Sequence, residues 1–398
     1  MKNIIDKIIN LILLLLIFLI VVILVYEYKV IFSKDDNKIV SEISAKVLES
    51  TIKPEPTKTQ ERLKQTQNTI SATTIPTEKP IVVSLQGLLD EQKTPTTTNN
   101  YSQKSDEKLE LYTYYSQLDE YGKMIYDGMK DNMEKLQTGT FVIDFSTKFN
   151  KLLNSNGGKE TLNRAYQSSI AAFLLDNPSV FYIETSNMYM IIQPTTTYKE
   201  TTYRVKIGPR EGENYLSDGM TYTDVVRKSK ELEKIKTDIT NAIGIKETTY
   251  NKIIKIHDYL VDNVEYDTTR SKEDTYNIYG ALVNKECVCA GYADAYKYLL
   301  DELDVPCVII YGMATNSDGT TEGHGWNYVK IDDKWYAVDC TWDDPVVIGE
   351  GRVDSKTKYN YFLKGEIDFF ENHTESANIA TESQEFIYPK LNKEDYKK

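Results

Sequence analysis

Cys289, Ala293, Tyr296, Leu300 and Leu303 recur at steps of four, three, four and three residues, and the chain beyond them alternates instead. The first spacing is one face of a helix, with Cys289 in its first turn; the second is the period of strands. Val305 to Tyr311 reads as a buried strand, and Gly312 to Gly323, polar and glycine-containing, as a flexible loop beside a cleft. His324 to Ile331 and Lys334 to Asp339 read as the arms of a hairpin. Asp332-Asp333 between them is a tight turn that lacks the preferred glycine. A helix followed by a strand and a hairpin makes the class α+β.

Register sharpens this reading. If Ile331 pairs with Lys334 across a two-residue turn, Trp326 faces Asp339 and His324 faces Thr341. Alternation then puts His324, Trp326 and Asp339 on one face, with His324 and Asp339 diagonal neighbours about 7–8 Å apart at Cα. A three-residue turn would send Asp339 to the other face. A thiol, an imidazole and a carboxylate so disposed suit nucleophilic acyl transfer. Backbone N–H groups at the helix start favour negative charge on Cys289 and suit a developing oxyanion. Cys289 would attack the carbonyl of an amide or related acyl substrate. His324 would take its proton and later protonate the leaving amine, while Asp339 would fix the histidine tautomer. The thioester would then pass its acyl group to an amine or to water, with no metal or organic cofactor required.

Other polar residues read mainly as support. Cys287 precedes the helical stripe and is a second choice for the nucleophile. Asn327, on the face opposite His324, is expected to brace backbone. Trp326 and Trp342 either wall the cleft or pack, and Tyr279 stands open as an oxyanion donor. His257 reads as a packed, hydrogen-bonded core histidine, and His373 as a surface or packing residue. Asp343-Asp344-Pro345 lacks the ligand run of a calcium loop and reads as a turn. Four cysteines are too few for a disulfide scaffold in 398 residues. Cys307 reads as a small buried hydrophobe, and a Cys287–Cys340 bridge stays open.

The rest of the chain sets the context. A formal charge of -13, from scattered acids with interleaved Lys and Arg, leaves no basic face and excludes a nucleic-acid partner. Ile8 to Tyr26 is uncharged and almost wholly aliphatic, long enough as a helix to approach the ~30 Å hydrocarbon core of a membrane. No small-x-small cleavage site follows, so an uncleaved anchor is expected. Flanking lysines on both sides do not orient it; a Thr-, Pro- and Gln-rich tract favours the C-terminal part outside the cell membrane. The expected organisation is an anchor at 1–30, with its spanning helix at about 8–26, and a linker at 31–108. A mostly helical accessory region at 109–215 and a catalytic domain at 216–385 follow. Within the accessory region, Leu111, Tyr115, Leu118, Tyr121, Ile125 and Met129 suggest one helix and Leu162 to Leu175 another. Met188–Ile192 and Thr202–Ile207 suggest two strands. Stripes from Val225 to Ala242 and from Ile253 to Val264 mark two further helices, the first ended by Gly244.

On Cys289-Ala-Gly-Tyr-Ala, His324-Gly-Trp-Asn-Tyr-Val and Trp335-Tyr-Ala-Val-Asp339-Cys-Thr-Trp-Asp-Asp-Pro, the chain resembles the bacterial transglutaminase-like superfamily. Ile256-His-Asp-Tyr-Leu-Val and Tyr361-Phe-Leu extend the resemblance over about Thr248 to His373. It implies a core similar to papain-type proteases: a nucleophilic cysteine at a helix start against an antiparallel sheet, with His and Asp on adjacent strands. It carries those roles to Cys289, His324 and Asp339. Gly325 stands where such relatives commonly have Ala, and Cys340 where they commonly have Thr. The resemblance implies a protein or peptide substrate, and with an anchor and spacer it suggests surface proteins or wall peptides. It leaves peptide hydrolysis, glutamine–lysine crosslinking and deamidation open. Silent members exist too, so a binding or adhesion module is the alternative.

Overall fold

The computed structural model describes residues 80–84, 113–344 and 357–398. The expected membrane helix and nearly all of the expected linker lie outside them. Among the described residues no helix is long and apolar enough to cross a membrane.

The helix suggested by Leu111 to Met129 is interrupted. Asp119 is extended, and its carboxylate accepts the Gly122 N–H at 2.7 Å, so helix α1 starts only at Glu120 and runs to Lys130. Helix α2, Gly158–Asp176, buries Leu162, Tyr166, Ile170 and Phe173 completely and stops ahead of Asn177-Pro178. Ser169 on α2 donates to Gly122 O on α1 at 2.8 Å, locking the two helices together. Strands β1 (Ile81–Ser84), β2 (Ile143–Ser146), β3 (Tyr189–Thr196) and β4 (Thr201–Gly208) form a sheet in the order β1-β3-β4-β2. β3 and β4 are the two expected strands, longer than foreseen and paired antiparallel. β1 comes from the span expected to be linker, where the apolar Ile81-Val82-Val83 pairs with β3.

Helix α3, Tyr222–Ile243, opens on a capping box between Thr221 and Asp224 and ends at Gly244, whose φ is +89°. Helix α4, Thr249–Asn263, buries Ile253, Ile256 and Leu260. Two short parallel strands, β5 (Glu265–Tyr266) and β6 (Glu286–Cys287), then position helix α5, Cys289–Glu302. Asp267 N donates to Cys287 O, and Val288 N to Thr275 O, each at 2.9 Å, so the chain entering α5 is pinned from two sides. Cys289, Ala293, Tyr296, Leu300 and Leu303 are at most 3% exposed. Full burial of a large apolar side chain is worth about 1.5–3 kcal/mol, and this face docks the helix.

The second sheet holds β7 (Cys307–Thr315), β8 (Thr321–Ile331), β9 (Lys334–Val338) and β10 (His373–Glu375), in the antiparallel order β10-β7-β8-β9. As the register argument requires, Ile331 pairs with Lys334. Asp332 and Asp333 both take positive φ, 49° and 58°, the two-residue hairpin geometry that glycine would enter more easily. The stretch Gly312 to Gly323 corrects the expected flexible loop, being mostly strand. β7 runs on to Thr315 because β8 and β10 satisfy its backbone on both edges. Gly312, paired with His324, admits no side chain: a Cβ there would stand 2.0 Å from Thr374 O and 2.7 Å from the Trp326 ring. One short turn of helix, α6 (Glu366–Phe369), precedes β10.

Candidate active site

His324 lies within β8, and Asp339 is the first residue beyond β9. Their side chains meet across the hairpin, His324 Nε2 standing 2.7 Å from Asp339 Oδ2. The start of α5 brings the Cys289 thiol into a hydrogen bond with His324. Since Asp339 occupies Nε2, Nδ1 is the ring nitrogen left for sulfur. The three residues singled out by pattern are therefore brought together, at 3% exposure for Cys289, 6% for His324 and 1% for Asp339.

Asp339 is held from every direction. Its Oδ1 accepts Thr341 N at 3.0 Å and Trp342 N at 3.1 Å, and its own N–H donates to Tyr361 O at 3.1 Å. Burial opposes its ionisation, but the charge and hydrogen bond of His324, with His373 added, hold the carboxyl well below the usual range. Burial would likewise lower His324. The Asp339 carboxylate, its hydrogen bond and Cys289 override that and hold the imidazole well above its ordinary range. The electrostatics favour an imidazolium on His324 beside an ionised Asp339.

His373 departs from the surface or packing role expected of it. It is 1% exposed, and its Nε2 lies 3.2 Å from the same Asp339 Oδ2 that His324 uses. β10 pairs with β7 so that His373 is opposite Ala314, and Gly312 is opposite both Glu375 and His324. Opposite residues share a face, so His373 lies on the His324 side of the sheet. Its ring stacks on Phe369 at 4.1 Å and lies 5.0 Å from Trp326 and 4.6 Å from Trp342. Nothing local in Glu-Asn-His-Thr announces this; the pointer in the sequence was that the resemblance extended as far as His373.

His324, Asp339 and His373 form a donor set of the kind zinc accepts, with ligand atoms within 4.8 Å of one another. Two donors on one tetrahedral zinc stand about 3.3 Å apart, so 2.7 Å between His324 and Asp339 is a hydrogen-bond separation instead. The observed arrangement is a hydrogen-bonded array.

The other candidates are placed as follows. Asn327 donates to Ala293 O at 3.0 Å, one turn into α5, bracing backbone as expected. Tyr279 turns away: its hydroxyl donates to Glu231 at 2.5 Å and contacts Arg227. His257 is fully buried between carboxylates, Nδ1 3.2 Å from Asp258 and Nε2 3.0 Å from Asp343. Burial lifts Asp343 to about 6 and would lower His257, yet with an acceptor on each nitrogen the pair is satisfied as imidazolium and carboxylate. Asp343 also accepts Tyr361 N at 2.8 Å, so the acidic run is the turn expected of it. Trp326 packs against Phe369 and His373, and Trp342 against Tyr361 and His373. None of the four cysteines forms a disulfide. Burial pushes the Cys287, Cys307 and Cys340 thiols up, out of reach of ready ionisation. Gly325 accommodates the Tyr311 ring, which a Cβ would meet at 2.7 Å.

Part of the chain is similar to known proteins. Residues 237–340 match the transglutaminase-like superfamily, a span that includes Cys289, His324 and Asp339 but not His373. The chain is 25% identical to kyphoscoliosis peptidase of Mus musculus over 175 residues, 37% of this chain and 26% of that protein. The Homo sapiens protein of that name is 25% identical over 169 residues, 38% of this chain and 24% of that protein. The chain thus spans about a quarter of the length of these relatives. A crystal structure of a TGase aligns at 11% identity with a TM-score of 0.26, over 42% of this chain and 47% of the other. Over residues 237–340 the chain is thus similar to the transglutaminase-like superfamily.

Proposed function

We propose that the protein is a membrane-anchored, cysteine-dependent enzyme of acyl transfer, acting on amide bonds of surface proteins or wall peptides. The observation that carries this reading is the hydrogen-bonded series Cys289, His324, Asp339. The Cys289 proton passes to His324 Nδ1, while Asp339 keeps the proton on Nε2 and balances the imidazolium charge. The thiolate forms a bond to the carbonyl carbon. Backbone N–H groups in the first turn of α5 face the developing oxyanion. His324 then gives its proton to the nitrogen, the C–N bond breaks, and the amine leaves a thioester on Cys289. Water regenerates the thiol and a carboxylic acid, as in a peptidase or deamidase; an amine regenerates it with a new amide, as in a transglutaminase.

The apolar run from Ile8 to Tyr26 supports anchoring at the cell membrane, and the polar tract after it supports a C-terminal part outside. Protease treatment of intact cells should digest the C-terminal part; full protection would reverse this orientation. A thiol-directed probe should label Cys289 faster than Cys307, and His324→Ala should slow labelling at Cys289 at least about tenfold. Equal labelling of both cysteines would remove the case for an enzyme. Mass spectrometry of a trapped Cys289 thioester, with and without added amine, should then give the acyl substrate and the acceptor.

A second reading, a silent fold serving as a binding or adhesion module, is favoured by the near-complete burial of Cys289 and His324. It predicts that Cys289→Ala leaves the cellular role of the protein intact.

A further inference from the structure

We propose that His373 is a positioning residue of this site: its Nε2–H occupies one side of Asp339 Oδ2, so that His324 receives only a share of that oxygen. The inference rests on the reading of Cys289, His324 and Asp339 as the working groups. It adds a residue from β10, beyond the span that matches the superfamily.

The geometry is specific. Asp339 Oδ1 is taken by two backbone N–H groups, which leaves Oδ2 to face two imidazoles at 2.7 and 3.2 Å. An imidazole nitrogen opposite a carboxylate oxygen at 3.2 Å has to carry a proton, since two lone pairs repel. The second ring nitrogen, Nδ1, lies 2.7 Å from the side-chain amide of Asn372, whose other end lies 2.9 Å from the Tyr361 hydroxyl. Burial, the largest influence, and the charge on His324 hold His373 below the ordinary imidazole range against the pull of Asp339 and of the Phe369 carbonyl, which also bonds the ring. A neutral ring then carries its one proton on Nε2, the nitrogen that faces the carboxylate. The Asn372 amide then turns its NH2 to Nδ1 and its oxygen to Tyr361, an exchange of O and N at unchanged heavy-atom positions. The result is a continuous chain from Tyr361 through Asn372, His373, Asp339 and His324 to Cys289.

Such a second donor has a chemical consequence. A carboxylate that accepts another N–H is a weaker base, and it stabilises the neighbouring imidazolium less. Left to itself, Asp339 would grip the His324 proton too firmly for its release to a leaving amine, which depends on a matched basicity. The titratable groups around His373 are Asp339 beyond β9, His324 on β8 and Tyr361 through Asn372. Glu375, two residues along β10, is turned to Tyr328 at 2.5 Å.

The test is the pH profile of Cys289 alkylation by iodoacetamide in the full chain, read peptide by peptide with Cys307 as internal reference. His373→Phe removes the N–H and retains the stacking bulk. Its profile should move to lower pH by about one unit, a roughly tenfold faster reaction on the acid limb. His373→Gln, which restores an N–H at similar reach, should return the profile to that of the wild type. Should Phe impair folding, His373→Met carries the same prediction. An unmoved profile in the Phe or Met variant, or a Gln variant that behaves like them, would overturn the role given to His373. If instead Asp339→Asn and His324→Ala leave Cys289 alkylation unchanged, the reading of the site itself fails.

Discussion

Asp339 shows how far single-residue chemistry could be anticipated. Alternation around a two-residue turn was enough to place it beside His324, because register within a hairpin is a local property. The same logic could not reach His373, whose partner strand is set by a pairing across more than fifty residues. Removing the charge from Asp339 strands a buried imidazole, so Asp339→Asn should cost about 3 kcal/mol of stability in denaturant titration. A change under about 0.5 kcal/mol would mean that the pair is not desolvated. The pH dependence has a definite sign. Folding raises the His324 pKa, so its contribution is fully present below about pH 6.5 and fades as pH climbs through the higher folded value. Asp339, lowered on folding, contributes above about pH 3.9 and loses that contribution as pH drops through its folded value. His257, also raised, acts in the same direction as His324. Urea midpoints should therefore fall between pH 6 and pH 9, less steeply in His324→Gln; identical slopes would contradict the assignment.

Secondary elements were legible where their own sequence closed them. α2 stops where a proline follows, and α3 begins on a capping box and ends on a left-handed glycine. α1 was misjudged because a periodic stripe says nothing of a capping carboxylate in its middle: Asp119 captures the Gly122 N–H and starts the helix afresh. The β8–β9 turn offers a direct check on backbone strain. Asp333 sits at φ 58°, which a side chain disfavours by about 1 kcal/mol. Asp333→Gly should relieve most of that, offset in part by the greater freedom glycine has when unfolded. A small rise in thermal midpoint with unchanged Cys289 labelling is the expected result. A lowered midpoint would show that Asp333 makes contacts outweighing its strain.

At the scale of the molecule, the two sheets are joined by segments that pair far from themselves in sequence. Tyr114, ahead of α1, donates its hydroxyl to Ile309 O in β7 and packs against Phe386 and Tyr388 near the C-terminus. Gln384 N donates to Ser168 on α2 at 2.8 Å, and Gln117 accepts Ile387 N at 2.8 Å. The tail after β10 therefore clamps the accessory helices to the sheet that bears the site. Deleting residues 377–398 should open this seam. Amide exchange should quicken around Tyr114 to Leu118 and along the outer edge of β7, while α5 stays protected; uniform protection would show the clamp to be dispensable.

Features that depend on near neighbours along the chain could be read from it alone. Helical stripes and the turn at Asp332-Asp333 sufficed to put Cys289 at a helix start and His324 beside Asp339, since each rests on spacing along one stretch of chain; the docking of α5 on the sheet brings Cys289 to the other two. Long-range pairing and packing set where β10 docks, that most of Gly312 to Gly323 is strand, that Ile81–Ser84 joins a sheet, and that a second imidazole reaches Asp339. Those outcomes depend on which distant backbone edge satisfies another's hydrogen bonds and which apolar faces bury one another, and no local period encodes that choice.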